Sequence, residues 1–538
     1  MQAGETFSKA LNKLGFYTLV YPEYPSQIRG GDNNIQIVFS SESVGAPQEK
    51  IDLFLAFNEI CLNNHKNEVK KEGLIFDYEK LGIKVEQELV KNNAALGFLW
   101  KTLGFDLTVL KKQLKEDFKN NQKILELNLK AVGMGYGKGE VAPLRPERSR
   151  GTSLGARREI INLTGNEALV RGILAAKAEF ASIYPMTPIN AVLAFLAKEK
   201  KVTIFRPEDE IAGIMAAIGA SYAGKRAMVA TSGGGFSLMV EGLGMAGMAE
   251  IPLVIVLGQR TGPSTGMATY SSQADLNFAI NAGQGEFPRI VLTPGDLPEL
   301  YRLGAEVFNL AEIYQVPVIL MTDKYLAESR FSELEKNFKE VKLKPSQPPF
   351  ALRASSFAQA TEDKSEGRSE YRRYKITPSG ISSRAFPGQT TFLTNSYEHD
   401  EFGFSTDDAM MRKKMMDKRM RKLQDIDKED KGYERYGDKG KITLVSWGST
   451  KGILLDFIKE NPEYNLVHFW RPWPFPMEVK KVLEKSKRVI CVEGNYSGQM
   501  ADMIELKTGL RVQRILKDDG RPFFKEELEA RIKNKEYE

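Results

Sequence analysis

Cysteine is nearly missing from this 538-residue chain: Cys61 and Cys491 are its only two. They lie far apart in ordinary apolar stretches, so they can build neither a four-cysteine cluster nor a zinc site, and a disulfide in a reducing compartment is not expected. If the protein handles electrons, another chain must carry the iron and sulfur. Long apolar runs are missing as well. No stretch approaches the ~20 residues that span a bilayer, and Met1-Gln-Ala-Gly-Glu-Thr6 has neither the basic start nor the apolar core of a signal peptide. The expected compartment is the cytoplasm, with no membrane contact. Charge of one sign is scarce too: 76 basic residues face 70 acidic ones, a net +6. Much of that excess is one helix-like run, Arg412-Lys-Lys-Met-Met-Asp-Lys-Arg-Met-Arg-Lys422. No nucleic-acid reader module accompanies it, so a solvated helical face or a contact with an acidic partner is expected, and nucleic acid is not.

What is present is the composition of a soluble globular protein, 42% apolar and 27% charged. The length asks for about three or four domains. Residues 1–135 read as a small α/β unit, with a helix at Thr6–Leu14 and strands at Tyr17–Tyr21, Ile35–Phe39 and Leu53–Phe57. A linker rich in Gly, Pro and Arg is expected at 136–158, beginning around Gly133-Met-Gly-Tyr-Gly-Lys-Gly139. Residues 159–335 alternate short apolar runs with helical patterns. The runs are Ala181–Tyr184, Val202–Phe205, Ala227–Ala230, Leu253–Leu257, Ile290–Leu292 and Val316–Met321, a pattern that predicts a parallel sheet covered on both faces. Residues 336–440 turn polar and irregular, an extended connector with loop-like pieces at 344–349 and 360–367. The α/β pattern resumes over 441–538.

Three near-motifs carry little. Gly219-Ala-Ser-Tyr-Ala-Gly-Lys-Arg226 nearly spells a phosphate-binding loop, but it ends a helix and precedes a strand, the reverse of the required order, and lacks the final Ser or Thr; a glycine helix cap explains it better. Gly133-x-Gly135 lacks the third glycine of a dinucleotide fingerprint. Gly262-Pro-Ser264-Thr-Gly266 matches the hydrolase pattern G-x-S-x-G, with His399 and His468 downstream in the order of a triad. The nucleophile elbow needs a tight strand-to-helix turn at the serine, which Gly258–Gly262 and Pro263 do not offer.

Four segments just beyond predicted strands matter more, because open α/β sheets place ligands at the carboxyl ends of their strands. Tyr184-Pro185-Met186-Thr187-Pro188 offers a hydroxyl on a proline-stiffened turn, although Thr187 or Asn190 would serve equally as a helix cap. Glu208-Asp-Glu210 starts a helix, where acids suit the positive end of the dipole. Glu210 also begins the apolar stretch Ile211–Ala220, where a poorly hydrated carboxylate gains affinity for protons and suits exchange with a ligand nitrogen. Arg260 follows a buried strand and can either pair with a core-edge carboxylate or grip a substrate carboxylate bidentately. Thr231-Ser232-Gly233-Gly234-Gly235-Phe236 opens a helix, and its free backbone donors suit an anion or a cofactor ring; close packing is the alternative role for its glycines.

These segments, with Gly285-Glu-Phe-Pro-Arg289, resemble the α subunit of 2-oxoacid:ferredoxin oxidoreductases, thiamine-dependent enzymes of the pyruvate and 2-oxoglutarate type. The resemblance runs almost end to end. Tyr21-Pro-Glu-Tyr-Pro-Ser-Gln-Ile-Arg-Gly-Gly31 is similar to the family's γ domain, here fused in front, without the strand and glycine turn that normally begin it. Glu398-His-Asp400, Trp447-Gly-Ser-Thr450, Glu493-Gly-Asn-Tyr-Ser-Gly-Gln499 and Asp519-Gly-Arg-Pro-Phe523 resemble the stretches that follow in the α subunit. The resemblance implies three α/β domains, a central one binding the pyrimidine of thiamine diphosphate and a C-terminal one of transketolase C-terminal type. It implies Glu210, Thr187 and Arg260 as catalytic residues. Glu210 would contact the aminopyrimidine, Arg260 the oxoacid carboxylate, and Thr187 would sit beside the reacting atoms and the coenzyme A path. Tyr184, Pro185, Ser232, Gly233 and Gly234 would line the cofactor.

Holding the cofactor's diphosphate takes an acidic Gly-Asp-Gly type motif and a downstream Asn, because hard oxygen ligands must bind its magnesium. Gly31-Asp32-Asn33-Asn34 and Pro294-Gly-Asp296 have neither the spacing nor the context. No metal ligands are therefore assigned to this chain. Mg2+, the iron-sulfur cluster and contact with ferredoxin are expected on a β subunit, coenzyme A as co-substrate, and an (αβ)2 assembly. The alternatives are a serine hydrolase using Ser264 and a non-catalytic scaffold. Met186 replaces the family's commoner Ile, Ala268-Thr-Tyr270 stands where Pro-Thr and a basic residue are frequent, and Gln284 stands where His is common.

Overall fold

A computed structural model describes residues 2–26, 31–85, 87–142, 159–344 and 371–537. The 143–158 part of the expected linker and the pieces at 345–349 and 360–367 lie outside them. At the centre is a six-stranded parallel sheet in the order Ile290–Leu292, Pro317–Asp323, Leu253–Gln259, Ala227–Ser232, Phe180–Ile183, Thr203–Phe205. All six strands coincide with the apolar runs of the sequence. They are apolar on both faces because both are covered: Val254 and Val256 enter one core, while Leu253, Ile255 and Leu257 enter the other.

That second core continues into the C-terminal unit through Val445, Trp447, Val467 and Phe469. This unit has a five-stranded sheet, Tyr433–Tyr436, Tyr464–Phe469, Ile442–Trp447, Arg488–Glu493, Gln513–Leu516, parallel except for the first strand. Buried charge joins the two sheets. Glu299 of the central unit accepts from Lys451 Nζ at 2.6 Å and lies 3.0 Å from His468 Nε2, while His468 Nδ1 meets Ser446 Oγ at 2.9 Å.

In the N-terminal unit, Tyr17–Glu23 pairs antiparallel with Asn34–Ser40 on one side. On the other side it pairs with Arg330–Leu334, which in turn pairs with Ile160–Thr164. This sheet is thus completed by strands flanking the central unit. Ser8, Thr18, Asn162 and Ser332 seal the junction with buried hydrogen bonds, among them Thr18 Oγ1 to Ser332 Oγ at 2.7 Å and Asn162 Nδ2 to Ser8 Oγ at 2.7 Å.

Two local expectations change. Gly133–Lys138, read as the start of a linker, forms the last turns of the Gln122–Lys138 helix. Its glycine serves packing and not flexibility: a Cβ at Gly135 would strike the Ala94 carbonyl, and one at Gly97 the Val132 carbonyl, so the two helices cross backbone to backbone. The described part of the connector is also not merely polar and extended. It carries the basic Ala409–Arg421 helix, and that helix is neither a solvated face nor free for an acidic partner along its whole length. Lys418 and Lys422 reach Glu250 at 2.7 and 2.6 Å with all three side chains inaccessible to solvent, and Arg419 holds Glu398.

Burial pushes the Glu250 carboxyl up, but Lys418, Lys422 and Arg373 outweigh burial and hold it well below the usual carboxylate range. Its stabilising contribution is therefore present above the unfolded value near 4.5 and is lost as pH falls. Breaking a buried pair on one side leaves a charge stranded. Glu250→Leu is expected to destabilise the chain by about 3–5 kcal/mol, because it strands Lys418 and Lys422 together, and the triple change with Lys418→Met and Lys422→Met to recover much of that loss, read from urea unfolding.

Candidate active site

The four segments singled out in the sequence meet at the carboxyl ends of neighbouring strands. Tyr184–Pro188 leaves Phe180–Ile183, the glycine turn leaves Ala227–Ser232, Arg260 leaves Leu253–Gln259, and Glu210 opens the helix after Thr203–Phe205. The turns touch one another. Arg260 Nη1 donates to the Thr187 carbonyl at 3.4 Å. Ser232 Oγ donates to the Met186 sulfur at 2.6 Å, so the serine hydroxyl is occupied by the turn opposite. A Cβ on Gly258 would lie 2.6 Å from Ile189 Cγ1 and 2.9 Å from Pro188 Cδ.

Glu210 is the first residue of the Glu210–Tyr222 helix, whose cap is supplied by Asp209 accepting from Ala212 N at 2.8 Å. Capping therefore does not occupy Glu210. Its residue is only 4% exposed, and its carboxylate has neither a hydrogen bond nor an ion pair among the described residues. It rests beside the first turn of the Gly233–Met248 helix, where a Cβ on Gly235 would stand 2.7 Å from Glu210 Oε1 and would strike Thr231 Oγ1. Gly235 thus keeps room for the carboxylate. Gly234, next to it, is exposed, and nothing lies within 4 Å of where its Cβ would be. Tyr184 and Pro185 are exposed at the rim, and Thr187 is half-buried.

Arg260 is half-buried, and burial lowers its pKa with no acid nearby to raise it. Among the described residues its guanidinium has no carboxylate partner, so the core-edge ion pair is not made there, and the fork is free for a carboxylate ligand. The loop after it is gripped from three sides. Thr269 Oγ1 donates to the Tyr24 carbonyl at 2.8 Å and meets Ser26 Oγ at 3.0 Å, both in the N-terminal unit. Ser271 N donates to the Gly520 carbonyl, Gln273 N to Gly494, and Gln273 Nε2 to the Trp447 carbonyl. Asn277 N donates to Gln499 Oε1. Arg521, one residue on from Gly520, clamps Glu23. The conspicuous C-terminal segments therefore converge on this loop.

Ser264 lies in the exposed part of the same loop at φ +55. Neither histidine reaches it: His468 is engaged by Ser446 and Glu299, and His399 packs on Tyr374 with ring centroids 3.9 Å apart. Gly224, in the near-phosphate loop, sits at φ +94 and donates to the Ser221 carbonyl, closing the Glu210–Tyr222 helix as a cap. Sequence reasoning missed Asp275, which opens the apolar Leu276–Asn281 helix beside the glycine turn. The signal was an acid heading an apolar helix, the same one that marked Glu210. Among the described residues no group of three His, Cys, Asp or Glu could hold a metal ion, and no helix is long and apolar enough to cross a membrane.

The class that this cleft belongs to is given by residues 171–418, which match the family described as pyruvate flavodoxin/ferredoxin oxidoreductase, thiamine diphosphate-binding. Residues 1–80 and 74–138 match that described as pyruvate ferredoxin/flavodoxin oxidoreductase. The 2-oxoacid:ferredoxin oxidoreductase subunit alpha of Sulfolobus sp is 32% identical over 98% of this chain and 94% of its own length. The 2-oxoglutarate oxidoreductase subunit KorA of Mycobacterium tuberculosis is 26% identical over 98% of this chain and 88% of its own. The 2-oxoglutarate synthase subunit KorA of Methanothermobacter marburgensis is 29% identical over 66% of this chain and 94% of its own. Among solved structures, a 2-oxoglutarate:ferredoxin oxidoreductase from Magnetococcus marinus, with 2-oxoglutarate, coenzyme A and succinyl-CoA bound, superposes with a TM-score of 0.86 at 29% identity, covering 99% of this chain and 96% of its own. The chain belongs to the α-subunit family of the 2-oxoacid:ferredoxin oxidoreductases. It is a subunit of an oxidoreductase, of α/β fold, with a thiamine diphosphate-binding region.

Gly235→Ala is expected to displace Glu210 and overpack the turn. A loss of about 1–3 kcal/mol in unfolding free energy would register it, and Gly234→Ala, where the space is open, should cost well under half as much.

Proposed function

We propose that this chain supplies the pyrimidine half of a thiamine diphosphate site in an enzyme that oxidatively decarboxylates a 2-oxoacid. Coenzyme A takes the acyl group, CO2 and a proton leave, and two electrons pass to ferredoxin through an iron-sulfur cluster. The observation that carries this reading is Glu210: a nearly buried carboxylate, free of any partner, beside glycines that leave it room. The residues fit the cofactor, since a nearly buried carboxylate with no partner among the described residues can take a hydrogen bond from a ring N–H.

When bound, thiamine diphosphate supplies the carbon nucleophile and electron sink that a 2-oxoacid lacks for losing CO2. Glu210 holds and returns the proton at the aminopyrimidine. The Gly233-Gly234 backbone, with Ser232 behind it, Tyr184 and Pro185, forms the wall along the ring. Arg260 takes the carboxylate of the oxoacid and orients its keto carbon. Thr187, whose carbonyl is tied to Arg260, presents its hydroxyl toward the reacting atoms and the entering thiol.

The diphosphate half, Mg2+ and the iron-sulfur cluster are proposed on a β subunit, in an (αβ)2 assembly. Support comes from the absence of a Gly-Asp-Gly type motif, the two isolated cysteines and relatives named as α subunits. The proposed domains are the fused γ-type unit, taken to the end of its last helix at Lys138, a linker up to 158, the central unit at 159–335, the connector from 336, and the C-terminal unit, taken from its first strand at Tyr433. The cytoplasm is the proposed compartment.

The chain alone should show no 2-oxoacid- and coenzyme A-dependent viologen reduction, and should gain it on reconstitution with its β subunit; activity of the lone chain would overturn the divided site. In the complex, Glu210→Gln should abolish turnover. Arg260→Ala should mainly raise the KM for the oxoacid, by roughly 10- to 100-fold for a lost charge-assisted hydrogen bond. Unaltered kinetics in both variants would remove these two assignments.

A further inference from the structure

Two acids at this cleft open apolar helices, and Glu210 accounts for only one of them. The other, Asp275, sits at the start of Leu276–Asn281 and makes no capping hydrogen bond with its side chain there. Its backbone N–H donates to Gln259 Oε1 at 3.1 Å, which ties the residue to the end of the strand that carries Arg260. Its Oδ2 is buried and accepts no hydrogen bond. Among the described residues no cation pairs with it, and burial, acting alone, pushes the carboxyl up to about 6. The carboxyl group lies against the glycine turn, where a Cβ on Gly233 would stand 2.7 Å from Oδ2 and 3.3 Å from Oδ1. Other buried acids nearby are satisfied: Asp323 accepts from Ser271 Oγ and Leu326 N.

Successive residues of a helix point about 100° apart. Gly233 faces Asp275, Gly235 faces Glu210, and Gly234 lies between them, exposed, with nothing over it. The open surface above Gly234 is thus flanked by two carboxyl groups, neither of which has a donor among the described residues. A buried acceptor without a donor, as Asp275 Oδ2 is among the described residues, costs about 1–3 kcal/mol.

We propose that Asp275 is a binding residue of the assembled site, its carboxylate accepting a hydrogen bond from an N–H donor that arrives with the missing half and is held against the Gly233-Gly234 turn. This rests on the reading of Glu210 as the pyrimidine partner. The donor is an amino group of the thiamine ring or a basic side chain of the β subunit.

The test is Asp275→Asn in the full chain, with Asp275→Ser beside it, each alone and reconstituted with the β subunit. In the chain alone the asparagine variant gains stability. The wild-type carboxyl loses its proton near 3.8 unfolded and near 6 folded, so it opposes folding increasingly as pH rises between those values, and the difference in Tm opens over that window. In the complex the sign reverses. A thiamine diphosphate Kd weakened about tenfold by calorimetry, with subunit affinity unchanged, identifies the ring as the donor; a subunit Kd weakened about tenfold by sedimentation identifies the β subunit. Equal shifts in the lone chain and the complex, or no shift in either constant, would overturn the proposal. Glu210→Gln run in parallel separates the two readings. If it leaves thiamine diphosphate affinity intact, the pyrimidine assignment fails, and Asp275 is then judged on subunit affinity.

Discussion

A charge withdrawn from water must find its counter-charge inside the protein or it opposes folding by several kcal/mol, and this chain meets that demand by reaching across long spans of sequence. Glu250, at the end of the helix that begins with the glycine turn, is satisfied by Lys418 and Lys422 from the connector. Glu299 is satisfied by Lys451 and His468 from the C-terminal unit. Glu493 collects the indole N–H of Trp447, the amide of Asn495 and the backbone N–H groups of Met500 and Ala501. The first two unions cross between units, so the position of each unit is set by charge pairing as well as by apolar contact.

Against that background the cleft stands out by what is left unpaired. Arg260, Glu210 and Asp275 lie within one cluster of strand ends, yet among the described residues the cation has no acid and neither acid has a cation. The pairing elsewhere shows that the fold can satisfy buried charge when nothing prevents it. On the proposed reading, mutual neutralisation here would disable a site meant for an oxoacid carboxylate and a ring nitrogen. The intervening strand ends and the glycine turn keep the three apart, and the grip on the Ser271–Asn277 loop holds that separation from the C-terminal side.

Much of this was legible in the sequence. Five of the six central strands are short apolar runs because they are covered on both faces, the edge strand Thr203–Phe205 being partly exposed, and Thr187, Glu210 and Arg260 were marked by standing just past such runs. Pairings between distant segments were not legible. Nothing local in Tyr17–Glu23 announces Arg330–Leu334 as its neighbour, since register between remote strands is a tertiary property. Gly135 was misread because glycine signals flexibility and close helix crossing with the same letter. In the basic run, Lys418 and Lys422 are four residues apart on one helical face, but their burial depends on Glu250, which no reading of the run itself reveals. Asp275 escaped notice because an acid before an apolar helix is ordinarily a cap.

The four-stranded sheet bears on how such a protein can be encoded. Two of its strands, Ile160–Thr164 at one edge and Arg330–Leu334 beside it, belong to sequence beyond the N-terminal unit, and the hydrogen bonds of the hydroxyls and amides between them form without help from chain continuity. The N-terminal unit is thus held as a non-covalent partner would be. Nothing in these contacts requires that one gene encode both pieces. That a relative matches only two thirds of this chain while spanning nearly all of its own length is what such evolutionary latitude would leave behind.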